Sequence, residues 1–333
     1  MKYLAIIPLA LIVAAIGGLA AALAISRPAP PPPLAAMSEA DQLLAKPAGA
    51  VPPYSYYAAR DGARLAYRLY GGRPGGGVAV LVHGSTGLAI AVHAAARDLA
   101  AAGITTYAID LRGHGESGSL GDIGYRGQLE DDLADLVTVI EQRFPGERRL
   151  LAGHSLGGGF VLRAAGEPIA ARFDGFLALS PFISVRSGTS RPGTGDRASV
   201  TGGWANAAVP RITVLSLLNG LGITAFDGLD VIAYAVPPNA EGKRARIYSH
   251  RLLANMSLPR DWQPALARIA KPAAVLVGAN DQLFVASAYA AEIRAANPTI
   301  GVEVLAGVDH MGMVIQPAAT EAIVRTAGRL LGH

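Results

Sequence analysis

A serine between glycines is the feature of this sequence that points most directly to covalent chemistry. Ser155 is the centre of the pattern G-H-S-L-G, which begins at Gly153 and ends at Gly157. A sharp strand-to-helix turn of this kind accepts only small residues two positions before and after the serine, and it lifts the hydroxyl above the sheet. The pattern predicts Ser155 as a nucleophile with Gly153 and Gly157 shaping its turn. Because the chain has 40 glycines, an ordinary tight turn remains the alternative until partners are found.

A serine nucleophile requires a base, and the base requires an acid that orients it. In strand–turn–helix sites the chain order is serine, acid, histidine. Of the seven histidines, only His310 and the terminal His333 follow a suitable acid, and His310 comes just after the strand-like run G-V-E-V-L-A-G-V. Asp281 directly follows the run A-A-V-L-V-G-A-N, whereas Asp309 adjoins the histidine itself. The catalytic triad predicted by this order is Ser155, Asp281 and His310.

Acyl transfer also requires two N–H donors for the oxyanion of the tetrahedral intermediate. One donor comes from the residue after the nucleophile, which is Leu156, and the other comes from the loop after the first core strand. That loop reads H-G-S-T-G over residues 83–87. We therefore predict an oxyanion hole formed by the backbone N–H groups of Ser85 and Leu156. A simple strand-to-helix turn is the other interpretation of the loop.

The elements that must position these residues alternate along the chain. Two strand-like runs around Asp61-Gly62 predict a hairpin, and short apolar runs then alternate with helical segments. The predicted helices cover residues 88–102, 128–144, 160–165, 286–296 and 317–331. Apolar strands that alternate with helices are typical of a parallel sheet that is buried on both faces. The alternation stops over residues 183–260, which indicates an insertion rather than more of the sheet.

The motifs together resemble those of the α/β-hydrolase family, most closely its lysophospholipase and monoacylglycerol-lipase-like branch. The run D-L-R-G-H-G-E-S at residues 110–117 adds to this likeness, which covers residues 54–331. The resemblance implies an α/β-hydrolase fold: a mostly parallel eight-stranded sheet flanked by helices, with residues 54–182 and 261–333 as the core and 183–260 as a cap. It implies a structural rather than catalytic role for Asp110 and His114. Dehalogenases and epoxide hydrolases of this fold would carry aspartate at position 155.

The predicted chemistry is two-step acyl transfer through an acyl-enzyme on Ser155. We expect a serine hydrolase that cleaves carboxylic esters, with lipid-like esters such as lysophospholipids and monoacylglycerols among its substrates, and no metal or cofactor. Other chemistry of the same fold stays open, namely that of an acyltransferase, a perhydrolase, a carbon–carbon bond hydrolase or a peptidase. A binding module without activity is the remaining alternative, against which the complete triad argues.

The predicted cap carries the positive charge of the chain. Residues 183–260 contain eight arginines and one lysine against three aspartates and one glutamate, whereas the whole chain has a net charge of +4. This charge is either solvated surface or a face toward anionic lipid or an anionic substrate. A peptidase that binds a free amino terminus would place acids near its site, and the cap has few. The chain has no block of consecutive lysines and arginines, so nothing in the sequence indicates nucleic-acid binding.

The N-terminus predicts export. Residues 3–26 form an uncharged run after Lys2, close to the roughly 20 apolar residues of a transmembrane helix. Residues 1–26 are therefore expected to be a transmembrane anchor or a signal peptide that is cleaved near Ala22–Ala24. The catalytic part would then lie on the periplasmic or extracellular side, anchored or secreted. Residues 27–53 are rich in proline and predict a semi-rigid linker, in which Ser38 caps a short helix ending near Lys46. The sequence does not indicate an oligomeric state.

Overall fold

The computed structural model describes residues 17–32, 47–191, 203–236 and 243–333. Residues 17–25 are helical, and the first part of the apolar run lies outside the described residues, as does the short helix predicted after Ser38. Within the described part of the chain, no helix is both long enough and apolar enough to cross a membrane. The anchor and the cleaved signal peptide therefore stay predictions from sequence.

The centre of the molecule is an eight-stranded sheet with the strand order β1-β2-β4-β3-β5-β6-β10-β11. The β1–β2 and β2–β4 pairs are antiparallel, and all later pairs are parallel. The strands of the described residues, in chain order, are β1 (Tyr54–Ala58), β2 (Arg64–Tyr70), β3 (Val78–Val82), β4 (Thr105–Ile109), β5 (Arg149–His154), β6 (Gly175–Leu179), β7 (Ala205–Ala207), β8 (Asp230–Tyr234), β9 (Ile247–Ser249), β10 (Ala273–Gly278) and β11 (Gly301–Leu305). This confirms the predicted α/β-hydrolase fold and its antiparallel first hairpin.

Helices cover both faces of this sheet, which is why its middle strands are apolar throughout. After the N-terminal stretch, the described α-helices are α1 (His93–Ala101), α2 (Gln128–Arg143), α3 (Leu156–Ala165), α4 (Val209–Gly220), α5 (His250–Met256), α6 (Trp262–Ala267), α7 (Tyr289–Ala296) and α8 (Pro317–Leu331). Leu99 of α1 and Ile323 of α8 lie in one buried cluster, and Leu133 of α2 and Phe160 of α3 lie in the other. Each face of the sheet thus has its own hydrophobic core.

The first predicted helix is shorter than expected. Residues 88–102 were expected to form one helix, but Ala89–Val92 is a 3-10 turn and α1 begins at His93. The Ala89 N–H donates to Asp110 Oδ1 at 2.6 Å, and the other carboxylate oxygen accepts the Glu116 N–H at 2.9 Å. Asp110 therefore ties two loops together at the edge of the sheet, which agrees with the structural role that the resemblance implied.

The segment between β6 and β10 contains a small sheet of its own. Strands β7, β8 and β9 pair antiparallel, and they do not join the central sheet. Helix α4 lies beside them with Val214 and Leu215 buried and Leu217 exposed, so only part of this apolar helix belongs to a core. The three strands are only three to five residues long. Strands this short show little periodicity, which explains why the sequence indicated an insertion without strands. We refer to β7–β9, together with the flanking residues Trp204 and 243–246, as the cap sheet.

Candidate active site

Ser155 is at the turn between β5 and α3, in a backbone conformation that is rare for a residue other than glycine. Its φ and ψ are 56° and −121°. The turn is held on both sides, because the Ser155 N–H donates to the Leu179 carbonyl at 2.8 Å and the Ser155 carbonyl accepts the N–H groups of Gly159 and Phe182 at 3.0 Å each. A strained serine that its surroundings hold this firmly is typical of a nucleophile at the carboxyl end of a parallel sheet.

Gly153 and Gly157 are where the turn is most crowded. A Cβ added at Gly153 would lie 2.6 Å from the Gly157 carbonyl oxygen, and one added at Gly157 would collide with the His83 carbonyl oxygen. Gly84, in the loop after β3, is also close, because a Cβ there would lie 3.0 Å from Ser155 Cβ. The two predicted turn glycines therefore let β5, α3 and the loop after β3 approach one another around Ser155.

Asp281 and His310 form a buried pair. Asp281 follows β10 and His310 follows β11, and His310 Nδ1 lies 2.7 Å from Asp281 Oδ2. The other carboxylate oxygen, Oδ1, accepts the N–H groups of Leu283 and Phe284 at 2.9 Å each. Burial raises the pKa of Asp281, but the His310 ring and these N–H donors outweigh it and hold the pKa below its usual value. An ionised Asp281 accepts the Nδ1 hydrogen, which leaves His310 Nε2 free for a proton.

His310 is held near Ser155 by residues that the sequence does not identify. His154, which directly precedes Ser155, donates from Nε2 to the His310 carbonyl at 2.9 Å, and the two rings are 4.7 Å apart. Gln282 Oε1 accepts the His310 N–H at 3.0 Å. Among the described residues no hydrogen bond joins Ser155 Oγ to His310. Such bonds are often long in enzymes without substrate and shorten in the reacting complex.

The loop over residues 83–87, which we call the oxyanion loop, connects β3 to the turn before α1. Leu156 is the first residue of α3, so its N–H has no partner within the helix. The described residues accept no hydrogen bond from the Ser85 N–H either. Both predicted donors are therefore available to a ligand near Ser155. His83 fixes the start of the loop, since its Nδ1 lies 2.7 Å from the Gly84 carbonyl and its Nε2 accepts the Leu111 N–H at 3.2 Å.

Side chains of the cap sheet form hydrogen bonds with the oxyanion loop. Trp204, just before β7, donates from Nε1 to Ser85 Oγ at 2.8 Å. Tyr248 of β9 accepts the Thr86 N–H at 2.5 Å. Arg244 donates to both the carbonyl and the hydroxyl oxygen of Thr86, at 3.0 Å each. None of these cap residues was predicted, because each contacts the loop from more than 100 positions away and carries no local motif.

Three histidines around the site are buried and neutral. Burial lowers the pKa values of His83 and His114, and burial with the nearby His310 lowers the pKa of His154 to about 3. The unfolded chain binds protons to these side chains below pH ~6.5, whereas the folded protein binds them only at lower pH. The stability present above that pH is therefore expected to fall as the pH drops, by up to about 1.4 kcal/mol per pH unit for each histidine.

Urea unfolding at pH 7.5, 6.5 and 5.5 measures this effect. The free energy of unfolding is expected to be highest at pH 7.5 and to decrease steeply between pH 6.5 and 5.5. An unfolding free energy that stays constant across this range would contradict the assignment of three neutral, buried histidines.

Comparison with known proteins agrees with this geometry. The Hydrolase_4 family, described as serine aminopeptidase, S33, matches residues 74–313. The monoacylglycerol lipase of Mycolicibacterium smegmatis is 35% identical over 120 residues, which are 34% of this chain and 41% of that protein. The match thus spans less than half the length of this relative.

Solved structures share the fold at low sequence identity. A soluble variant of the monoglyceride lipase of Saccharomyces cerevisiae, in complex with a substrate analogue, superposes with a TM-score of 0.61 at 16% identity, over 86% of this chain and 96% of that one. The monoacylglycerol lipase of Paleococcus ferrophilus gives 0.54 at 22% identity, over 79% and 99%. At the level of the family, these findings confirm the prediction of a hydrolase. The chain belongs to the Hydrolase_4 family of α/β-hydrolases.

Proposed function

We propose that the protein is a serine esterase that cleaves carboxylic esters, and that its substrates are lipid-like esters such as monoacylglycerols or lysophospholipids. The observation that carries this proposal is the buried Asp281–His310 pair, at 2.7 Å, beside the strained turn of Ser155. Acid, base and nucleophile follow the carboxyl ends of β10, β11 and β5. Strands β10 and β11 are neighbours, and β6 lies between β10 and β5. These carboxyl ends form the edge at which α/β sheets carry out their chemistry.

In each of the two steps of the proposed mechanism, His310 first accepts a proton and then donates it. His310 Nε2 takes the Ser155 proton while its Nδ1–H stays hydrogen-bonded to Asp281. Ser155 Oγ attacks the ester carbonyl, and the N–H groups of Ser85 and Leu156 stabilise the oxyanion. His310 then protonates the leaving alcohol, which leaves the acyl group on Ser155. Water, deprotonated by His310, releases the acid and restores the serine hydroxyl.

The side chains that the cap sheet presents to the oxyanion loop favour an ester over a peptide. They are Trp204, Tyr248 and Arg244, and within the described residues no carboxylate of the cap sheet forms a hydrogen bond with the loop. An aminopeptidase binds the ammonium group of its substrate, for which a carboxylate is the natural partner. Cleavage of an aminoacyl bond is nevertheless the second candidate, because the matching family is described as serine aminopeptidase.

A substrate panel tests the proposal on the purified full-length protein. We expect release of fatty acid from a monoacylglycerol and a lysophospholipid, and of nitrophenol from p-nitrophenyl esters, with little nitroaniline from aminoacyl nitroanilides. A hydroxylamine trap should capture the acyl group as a hydroxamate, as expected for an acyl-enzyme. Cleavage of the nitroanilides without cleavage of any ester would replace the esterase by the peptidase.

A further inference from the structure

The Tyr248 hydroxyl lies between the oxyanion loop and a buried histidine. It is 2.5 Å from the Thr86 N and 2.5 Å from His114 Nε2, and the whole side chain of Tyr248 is buried. Tyr248 belongs to the cap sheet, whereas His114 belongs to the loop after β4. One hydroxyl group thus joins three separate parts of the chain directly behind the predicted oxyanion hole.

The hydrogen bonds around His114 fix the direction of this chain of contacts. His114 Nδ1 faces the carbonyl oxygens of Leu111 and Arg112, at 3.3 Å each, so Nδ1 carries the hydrogen and Nε2 accepts. Burial, followed by the nearby His83, holds the pKa of His114 well below its usual value, so the ring is neutral. Tyr248 therefore donates its hydroxyl hydrogen to His114 Nε2 and uses an oxygen lone pair to accept the Thr86 N–H.

Thr86 is a residue that requires such support. Its φ of 58° is in the left-handed region, which is unusual for a β-branched side chain and costs of order 1–3 kcal/mol. Its N–H belongs to the peptide group that directly follows Ser85. Fixing this N–H therefore fixes the peptide plane next to the predicted oxyanion donor.

We propose that Tyr248 is a positioning residue that holds the oxyanion loop in the conformation in which the Ser85 N–H reaches the oxyanion. The inference rests on the proposed esterase function and extends the catalytic machinery into the cap sheet. Tyr248 does not touch the reacting atoms, and it acts through Thr86. Its loss should weaken binding of the transition state more than binding of the substrate.

The Tyr248→Phe variant tests this, with Tyr234→Phe as its matched control. Tyr234 is also buried in the cap sheet, and the centre of its ring is 4.8 Å from that of the Tyr248 ring. Its hydroxyl forms no hydrogen bond with residues 83–87, all of which the structure describes. Tyr248→Phe is expected to lower kcat by roughly 10- to 100-fold, less than the loss of a whole donor, with KM within about twofold. Inhibition by a trifluoromethyl ketone analogue of the substrate should weaken in proportion to kcat. Tyr234→Phe should keep kcat, KM and inhibition close to wild type.

Amide hydrogen exchange separates this inference from the proposed function, because it requires no activity. In the wild-type protein labelled with ¹⁵N, the Thr86 amide is expected to exchange slowly and the Ser85 amide quickly. Tyr248→Phe should accelerate exchange at Thr86, and Tyr234→Phe should not. If the protein cleaves no ester but its amides exchange as expected here, the proposed esterase function is wrong and the role of Tyr248 in holding the loop stands. Fast exchange at Thr86 in the wild type, or unchanged kcat in Tyr248→Phe, would overturn the role of Tyr248.

Discussion

Replacing Ser155 with alanine is expected to lower kcat for ester hydrolysis by about 10⁴- to 10⁶-fold, the range seen when a triad serine is lost. The variant has no side-chain oxygen with which to form the proposed acyl-enzyme. The fold should persist, because the Ser155 side chain contributes no hydrogen bond to the described residues and the turn is held through its backbone. Hydrolysis of the best ester from the panel and the melting temperature are the two measurements. A fluorophosphonate probe should label the wild type on the peptide that contains Ser155 and leave the variant unlabelled.

Ser180 offers a matched control for this experiment. It is a buried serine at the end of the neighbouring strand, β6, with a φ of 40°, and its Oγ has no hydrogen-bond partner among the described residues. Ser180→Ala therefore removes a hydroxyl of the same kind from a residue that also has a positive φ. Activity and labelling should match the wild type. Labelling that survives in Ser155→Ala, or disappears in Ser180→Ala, would show that Ser155 is not the nucleophile.

Replacing Asp281 with asparagine is expected to lower kcat by about 10⁴-fold with little change in structure. The reason lies in the two N–H groups, of Leu283 and Phe284, that donate to Asp281 Oδ1. The asparagine carbonyl must take that position, so its NH₂ group points at His310 Nδ1. His310 then accepts at Nδ1 and carries its hydrogen at Nε2, where it can no longer take the Ser155 proton. The rates of hydrolysis and of fluorophosphonate labelling should fall together.

Asp309 is the control for this second change. It adjoins His310 in sequence, and its Oδ1 accepts the Gly312 N–H at 2.6 Å instead of a hydrogen from the His310 ring. Asp309→Asn should keep kcat within a few fold of wild type, because its oxygen can still accept that hydrogen bond. A larger loss in Asp309→Asn than in Asp281→Asn would reassign the orienting acid.

The sequence could predict the parts of the site that depend on local pattern. The turn at Ser155 and the acid and base after β10 and β11 each follow a strand that is apolar over its whole length or most of it, so their places at the sheet edge could be read from spacing and order. Even the pairing of Asp281 with His310 spans only 29 residues. The alternation of strands and helices predicted a parallel α/β sheet, and the resemblance of the motifs to the α/β-hydrolase family implied the particular fold.

The contacts of the cap sheet could not be predicted in this way. Tyr248 reaches Thr86 across 162 residues of sequence, and Trp204 reaches Ser85 across 119. Nothing near either aromatic residue distinguishes it from a core side chain of the insertion. His154 was within the motif around Ser155, yet its contact with His310 depends on how the loop after β11 reaches the end of β5 past β10 and β6. Such contacts are set by tertiary packing rather than by local propensity or periodicity.

The hydrogen bonds from the cap sheet to the oxyanion loop bear on how this enzyme could be redesigned. Insertions of this type look like exchangeable modules, since they enter and leave the core at two neighbouring points. Replacing this insertion with that of another protein would remove Trp204, Arg244 and Tyr248 together. The side-chain hydrogen bonds that hold Ser85 and Thr86 would be lost with them. Turnover and selectivity would then change in the same step. A chimera that alters only the choice of substrate would have to keep these three side chains and vary the residues around them.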